Sequence, residues 1–297
     1  MARSTALNLL ISLRPGQWTK NLLVFAALVF GRRLFHPAAV LSTVEAFVVF
    51  CALSGVVYLI NDIADRDIDR QHPHKAQRPI ASGALSVSAA ATAAAVLTAG
   101  AMAGAIGLGG RFALVAAAYL GLQVMYSWPL KHIVIIDVLT IATGFVLRAV
   151  GGAVAIDVPI SHWLLVCTIL LALFIALAKR RHELVLLADG ATSHRPILAE
   201  YSPYLLDQMI AVVTASTLVA YVFYTMSAEK EQEFGTIWLG LTIPFPLYGI
   251  FRYLYLVHQR KEGGSPAELF INDRPLLVCV ALWVLSVVGI IYRPFGL

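Results

Sequence analysis

The chain has 297 residues, 59% hydrophobic and 13% charged, with a mean hydropathy of +0.79 and a formal net charge of +5. A water-soluble domain carries roughly a quarter charged residues, so this composition excludes one and makes lipid the solvent for most of the chain. Cys51, Cys167 and Cys279 are scattered through apolar stretches without metal-ligand spacing or an evident disulfide pairing, and read as small core residues.

From the N-terminus, residues 1–14 form a short, weakly amphipathic stretch broken by Arg14-Pro15-Gly16, with no small-residue cleavage site. It reads as an interfacial segment, not a cleaved leader. Beyond it, charge-free runs such as Ala84 to Gly110 and Val158 to Ala178 exceed the roughly 20 residues a helix needs to cross the hydrocarbon. The alternation of a lipid-facing barrel strand is absent. The fold class expected is all-α, a polytopic membrane bundle forming one catalytic domain over 1–297. Breaks at Gly, Pro and charge clusters predict nine transmembrane helices, at about 18–36, 38–60, 84–108, 111–128, 133–155, 160–179, 205–227, 235–257 and 275–292.

Lys and Arg number fifteen on the side of the N-terminus and the even loops, from Arg3 to Arg274, against Arg32, Arg33, Arg111, Lys230 and Arg293 on the other. This bias predicts a cytoplasmic N-terminus and a C-terminus outside. The net positive charge is thus a basic cytoplasmic face, and nucleic acid is not expected as a partner. The two longest connections, about 61–83 and 180–204, fall on that face, as does the shorter 127–132; long loops on a rigid scaffold commonly carry function.

The first loop opens Asn61-Asp62-Ile63-Ala64-Asp65-Arg66-Asp67-Ile68-Asp69-Arg70. At 100° per residue, Asp62, Asp65 and Asp69 fall within about 60° of one another on a helix face. Stacked carboxylates repel, so something cationic must offset them. Ion pairing of Asp62 with Arg66 is one solution, but it leaves Asp65 and Asp69 unpaired. A hard divalent cation fits better, since Mg²⁺ takes one or two carboxylates and completes its octahedron with phosphate oxygens and water. Lys75 and Arg78 follow, placed to reach anionic oxygens of a metal-bound group; Pro73 should end the helix, and His72 and His74 read as ordinary loop histidines. The mixture points to a metal–diphosphate cradle.

A second polar cluster runs Tyr126-Ser127-Trp128-Pro129-Leu130-Lys131-His132, with Asp137 in the first turns of the next span. An ionisable residue near or inside a span is a functional candidate, and Asp137 is expected to bind substrate or metal. Arg148 shares its face and reads equally well as a buried tie that fixes the bundle. Lys179-Arg180-Arg181-His182-Glu183 ends the sixth span, where basic residues suit both the helix dipole and the charge bias. Trp18 and Lys20, where the chain leads into the first span, read as an interface anchor and a phosphate contact. Tyr248, Arg252 and Tyr255 form a packing stripe.

These residues resemble the UbiA superfamily of intramembrane prenyltransferases: Asn61-Asp62-x-x-Asp65-x-x-x-Asp69 matches its first aspartate motif, in the right place after the second span. Its second motif usually has two aspartates four apart, whereas Asp137 is followed at that offset by Ile141. Arg14-Pro-x-Gln-Trp-x-Lys-Asn21, His72-Pro-x-Lys-x-x-Arg-Pro-Ile80, Tyr126-Ser-x-x-Leu-Lys131, Gly144-Phe-x-Leu-Arg-Ala149 and Lys179-Arg-Arg-x-Glu-Leu184 together look like the branch of decaprenyl-phosphate phosphoribosyltransferases.

The resemblance implies a nine-helix fold in a bacterial cytoplasmic membrane, phosphoribosyl pyrophosphate as donor, a polyprenyl phosphate as acceptor and Mg²⁺ as cofactor. It implies metal binding by Asp62, Asp65 and Asp69, and catalytic parts for Asp62, Asp65, Lys131 and Asp137. Substrate contacts would come from Lys20, Asn61, Asp69, Lys75, Arg78, Tyr126, Lys179, Arg180 and Glu183. Two alternatives stay open: transfer of a prenyl group to an aromatic or glyceryl acceptor, and a transporter. The latter would place its charges near the midplane on two related halves, which the sequence does not show. Gly100 and Gly104 form a small-xxx-small pair that leaves a homo-oligomer open.

Overall fold

The computed structural model describes residues 4–71, 75–186, 196–260, 269 and 272–292. His72, Pro73 and His74, the 187–195 part of the second long loop with Arg195, and Arg3, Lys261 and Arg293 of the charge count lie outside the described residues. Every regular element among the described residues is helical. Among the described residues, six helices are long and apolar enough to cross a membrane, or seven if one bent pair is a single span. The chain is a multi-pass membrane protein.

The chain divides into two compact units, one of Met1–Ser127 with Leu147–Pro159, the other of Trp128–Val146 with Ile160–Leu297. In the first, α1 (Thr5–Ser12) is capped by Ser4, whose Oγ accepts from the Leu7 amide. A 3-10 helix (Pro15–Phe25) passes into α2 (Ala26–Phe30), so the span expected at 18–36 is not one long α-helix. Pro15 sits at the first position of the 3-10 segment and Gly31 ends α2, so α geometry lasts barely more than a turn. α3 (Pro37–Ala64) is the longest helix, with Pro37 at N1, where the missing N–H costs nothing. α4 (Arg66–Arg70) follows after Asp65, then a 3-10 turn (Lys75–Gln77), α5 (Val87–Gly107), capped by Ser86, and α6 (Gly110–Ser127).

α3 packs chiefly on α5, and Val49, Phe50, Leu53, Ala101, Ala105, Phe112 and Tyr119 form a core with Val24 of the 3-10 segment. A second core under the aspartate stretch joins Val56, Leu59, Ile80, Leu85 and Ala90. Only 22% of α5 is buried within the chain, which leaves the rest of this alanine-rich helix to lipid.

In the second unit, a 3-10 turn (Leu130–His132) precedes α7 (Ile136–Ala155), whose later half belongs to the first unit. α8 (His162–Leu186) packs on α9 (Pro203–Met226) after a 3-10 turn (Pro196–Glu200). α10 (Ala228–Phe234) ends at Gly235, whose φ of +65° a side chain would strain. The Trp238–Gln259 stretch, which opens with a 3-10 turn (Trp238–Thr242) and contains α11 (Pro244–Gln259), turns away from α10 by 102°, and the span expected at 235–257 falls on that stretch. α12 (Arg274–Tyr292) closes the described chain. Phe174, Leu177, Ile197, Leu206, Ile210 and Tyr253 form the core here.

Candidate functional site

The acids of the first unit sit at the end of α3. The helix breaks at Asp65 (φ −89°, ψ 5°), but the Asp65 amide still donates to the Asn61 carbonyl and the Asp69 amide to the Asp65 carbonyl, both at 2.8 Å. Helical phase therefore carries across the break. Asp62 and Asp69, seven residues apart, are both buried, at 2% and 1% exposure, whereas Asp65 is half-buried and Asp67 faces outward.

Two buried carboxylates require partners. Arg78 Nη1 is shared between them, 3.1 Å from Asp62 Oδ1 and 2.6 Å from Asp69 Oδ2. Arg14 Nη2 lies 2.5 Å from Asp62 Oδ1, its guanidinium over the Tyr58 ring at 4.5 Å, and Lys75 Nζ is 3.9 Å from Asp69. Arg14 takes a left-handed φ of +52°, uncommon for a non-glycine residue, which turns the chain between α1 and the 3-10 segment. The ion pairing that helical spacing suggests as the alternative to a cation takes a different form here. Asp62 does not pair with Arg66, whose Nε instead reaches Asp67, and Asp69 is not unpaired. A tie over one helical turn gives way to longer ones because Arg66 stays at the surface while Arg14 and Arg78 reach the buried side.

Mg²⁺ can be tested against this arrangement. Among the described residues, no group of three or more His, Cys, Asp or Glu side chains converges closely enough to form a complete metal cage. The donors are nevertheless hard oxygens only, and a single cationic nitrogen already occupies the place between two carboxylates. A cation held by two carboxylates and completed by phosphate oxygens is the ordinary mode of Mg²⁺. The residues fit that mode.

A buried network ties the 3-10 segment to the rest of the unit. Arg148 Nε donates to Asn21 Oδ1 at 2.6 Å and Nη2 to the Tyr119 hydroxyl at 2.7 Å, with Ser54 also on Tyr119. Of the two readings of Arg148, the geometry matches the buried tie. Lys20, beside Asn21, and Tyr126, in the last turn of α6, are half-buried, as is Asn61.

The second unit holds a separate chain of polar contacts. Asp137, in the first turn of α7, is fully buried. Its Oδ2 accepts from Arg180 Nε at 2.9 Å and its Oδ1 from the Tyr201 hydroxyl at 2.9 Å. Arg180 Nη1 also donates to Glu183 at 2.9 Å, and Lys179 Nζ stands 3.7 Å from the same carboxylate. Burial pushes the Tyr201 hydroxyl up to about 12; the Ile135 amide opposes that shift and Asp137 adds to it. Arg181 pairs with Asp207, which His258 also contacts.

Asp137, expected to bind substrate or metal directly, has both oxygens committed inside the protein. Arg180, expected to contact substrate, is 1% exposed, because three successive residues on α8 point three ways and the middle one points inward. Lys179, Glu183 and the half-buried Lys131 of the 130–132 turn remain accessible. Arg148 takes the buried part that its spacing from Asp137 allowed, whereas the contacts of Arg14 and Tyr201 are not singled out by spacing, and the break at Arg14-Pro15-Gly16 is the local signal for the first.

Comparison with known proteins places these clusters in a family. The UbiA prenyltransferase family profile matches residues 21–272. The chain is 33% identical over 290 residues to a decaprenyl-phosphate phosphoribosyltransferase of Corynebacterium glutamicum, covering 95% of this chain and 86% of that protein. It is 33% identical over 295 residues to the protein of that name in Mycolicibacterium smegmatis, covering 96% and 92%. Among solved structures, a UbiA homolog from Archaeoglobus fulgidus, bound to GPP and Mg²⁺, superposes with a TM-score of 0.74 at 21% identity, covering 97% of this chain and all of that one.

Proposed function

The chain belongs to the UbiA prenyltransferase family, and from that premise we propose that it is a polyprenyl-phosphate phosphoribosyltransferase. It moves 5-phosphoribose from phosphoribosyl pyrophosphate to a polyprenyl phosphate and releases diphosphate. The observation that favours this reading over others in the family is 33% identity across 95% of the chain to a protein of that activity. The isolated Asp137, with Ile141 where a second acid would stand, agrees with it.

The donor's diphosphate is assigned to the Asp62–Asp69 seat. Mg²⁺, held there by Asp62 and Asp69 with Asp65 beside them, would neutralise the diphosphate as it leaves. Arg14 and Arg78 already lie on those carboxylates and can transfer their hydrogen bonds to phosphate oxygens, with the Lys75 ammonium 3.9 Å from Asp69 adding positive charge, supporting the charge that grows on the leaving group. Lys131 and Lys179 are assigned to anionic substrate oxygens, with Glu183 orienting Lys179. The bond from the anomeric carbon to the diphosphate oxygen breaks with its electron pair going to diphosphate. A lipid phosphate oxygen forms the new bond from the opposite face. That nucleophile is already ionised, so no general base is assigned, and catalysis rests on bringing two anions together.

The same reading gives the chain nine membrane passes with the N-terminus and active site at the cytoplasmic face of a bacterial plasma membrane. The product would feed a lipid-linked arabinose donor for cell-envelope glycans. The rival is prenyl transfer to an aromatic or glyceryl acceptor, favoured by the geranyl diphosphate-bound structural relative. Purified protein given radiolabelled phosphoribosyl pyrophosphate and polyprenyl phosphate should form labelled lipid only with Mg²⁺. No labelled lipid, with turnover of prenyl diphosphates instead, would favour the rival.

A further inference from the structure

One residue in the second unit joins elements that the reaction needs held together. Ile135, immediately before α7, has a φ of +69°. For a β-branched residue this is a genuine outlier, of the kind that persists only when its surroundings enforce it. Its amide donates to the Tyr201 hydroxyl at 2.8 Å, and that hydroxyl donates in turn to Asp137 Oδ1 at 2.9 Å. From Asp137 the contacts run through the buried Arg180 to Glu183 and then to Lys179. The 3-10 turn carrying Lys131 also packs against the 3-10 turn that ends just before Tyr201.

We propose that Tyr201 is a positioning residue, pinning the strained Ile135 turn and the Asp137 carboxylate so that Lys131, on the loop before α7, and the Lys179–Glu183 pair on α8 hold one fixed geometry for the anionic substrate. The proposal rests on the phosphoribosyltransferase reading. Three features support it together: a strained backbone, a buried hydroxyl that both accepts and donates, and a carboxylate with no oxygen left for substrate. The hydroxyl stays protonated throughout the working pH range because its pKa lies at about 12.

The test compares wild type, Tyr201→Phe, Asp137→Asn and the double variant in detergent or nanodiscs. Tyr201→Phe removes only the hydroxyl. A hydrogen bond to a charged group typically contributes enough for roughly a tenfold change, so the KM for phosphoribosyl pyrophosphate should rise about tenfold with kcat changing less. In the Asp137→Asn background Tyr201→Phe should bring less further loss than in wild type, because the hydroxyl no longer holds a carboxylate; Asp137→Asn itself also breaks the buried pair with Arg180. Hydrogen–deuterium exchange of the peptide spanning 128–137 should quicken in Tyr201→Phe. That arm needs no substrate, so it reports on the pin even if wild type shows no transfer, a result that would refute the substrate reading alone. A lowered Tm at unchanged KM, or unchanged exchange in that peptide, would overturn the proposal. If Tyr201→Phe does not fold, the Ile135→Gly/Tyr201→Phe variant carries the same readouts, since glycine adopts positive φ without strain. Failure of that variant to fold would also overturn the proposal, because the hydroxyl would then support the unit as a whole.

Discussion

Arg78 Nη1 lies 2.6 Å from Asp69 Oδ2 in the first unit, and the same nitrogen is 3.1 Å from Asp62. One guanidinium thus bridges two buried acids. Replacing it by glutamine leaves both without their shared cation, and the expected loss is about 1–3 kcal/mol in metal-free buffer, limited by the partial exposure of Arg78. Mg²⁺ alone should stabilise Arg78→Gln more than wild type, because it no longer competes with a guanidinium. Thermal unfolding with and without Mg²⁺ checks both points, and an equal Mg²⁺ effect in the two proteins would count against exchange at this seat.

Arg14 reaches Asp62 from 48 positions earlier in the chain. Arg14→Ala should weaken donor binding about tenfold, the scale of one charged hydrogen bond, with a smaller effect on the KM of the lipid. Arg14→Lys keeps the charge but loses the planar group over Tyr58, and should fall between. Steady-state kinetics with each substrate varied in turn separates these outcomes.

Gly152 sits where α7 meets the 3-10 segment, and a Cβ there would collide with the Val24 carbonyl. Backbone cannot move aside as a flexible side chain can. Gly152→Ala should therefore cost on the order of 1–3 kcal/mol or more, with a lowered Tm in detergent. Gly100→Ala, with open space around the site, should leave Tm unchanged and serves as the control.

The absence of a general base has a signature in pH. A phosphate monoester is halfway through its second ionisation at about pH 6. The rate should climb as the lipid phosphate ionises and then stay level from roughly pH 7 to 9, with no further ascending limb. A rate that rises across that plateau would show that a protein group must lose a proton.

Composition was enough to read the all-helical membrane class, and the helices at 37–64, 87–107, 136–155, 203–226 and 274–292 fall close to the expected spans. Apolar content does not distinguish 3-10 from α geometry, so the 3-10 segments within 18–36 and at the start of 235–257 are not legible from it. The common face of Asp62 and Asp69 follows from helical spacing, which survives the break at Asp65. Their partners do not, since Arg14 and Arg78 arrive from elsewhere in the chain. The same holds for Arg148 and Asn21, 127 positions apart, and for Tyr201 and Asp137, 64 apart. Only the assembled fold brings such pairs together.

The central assignment is that the carboxylates at the end of α3 seat a metal-borne diphosphate. Turnover against Mg²⁺ concentration in Asp62→Asn and Asp69→Asn, beside wild type, tests this most directly. Each variant should lose at least about a hundredfold in kcat/KM, as removing a charged group from a metal–phosphate site does, and should need more Mg²⁺ for half-maximal rate. Wild-type turnover at an unshifted Mg²⁺ requirement would contradict it.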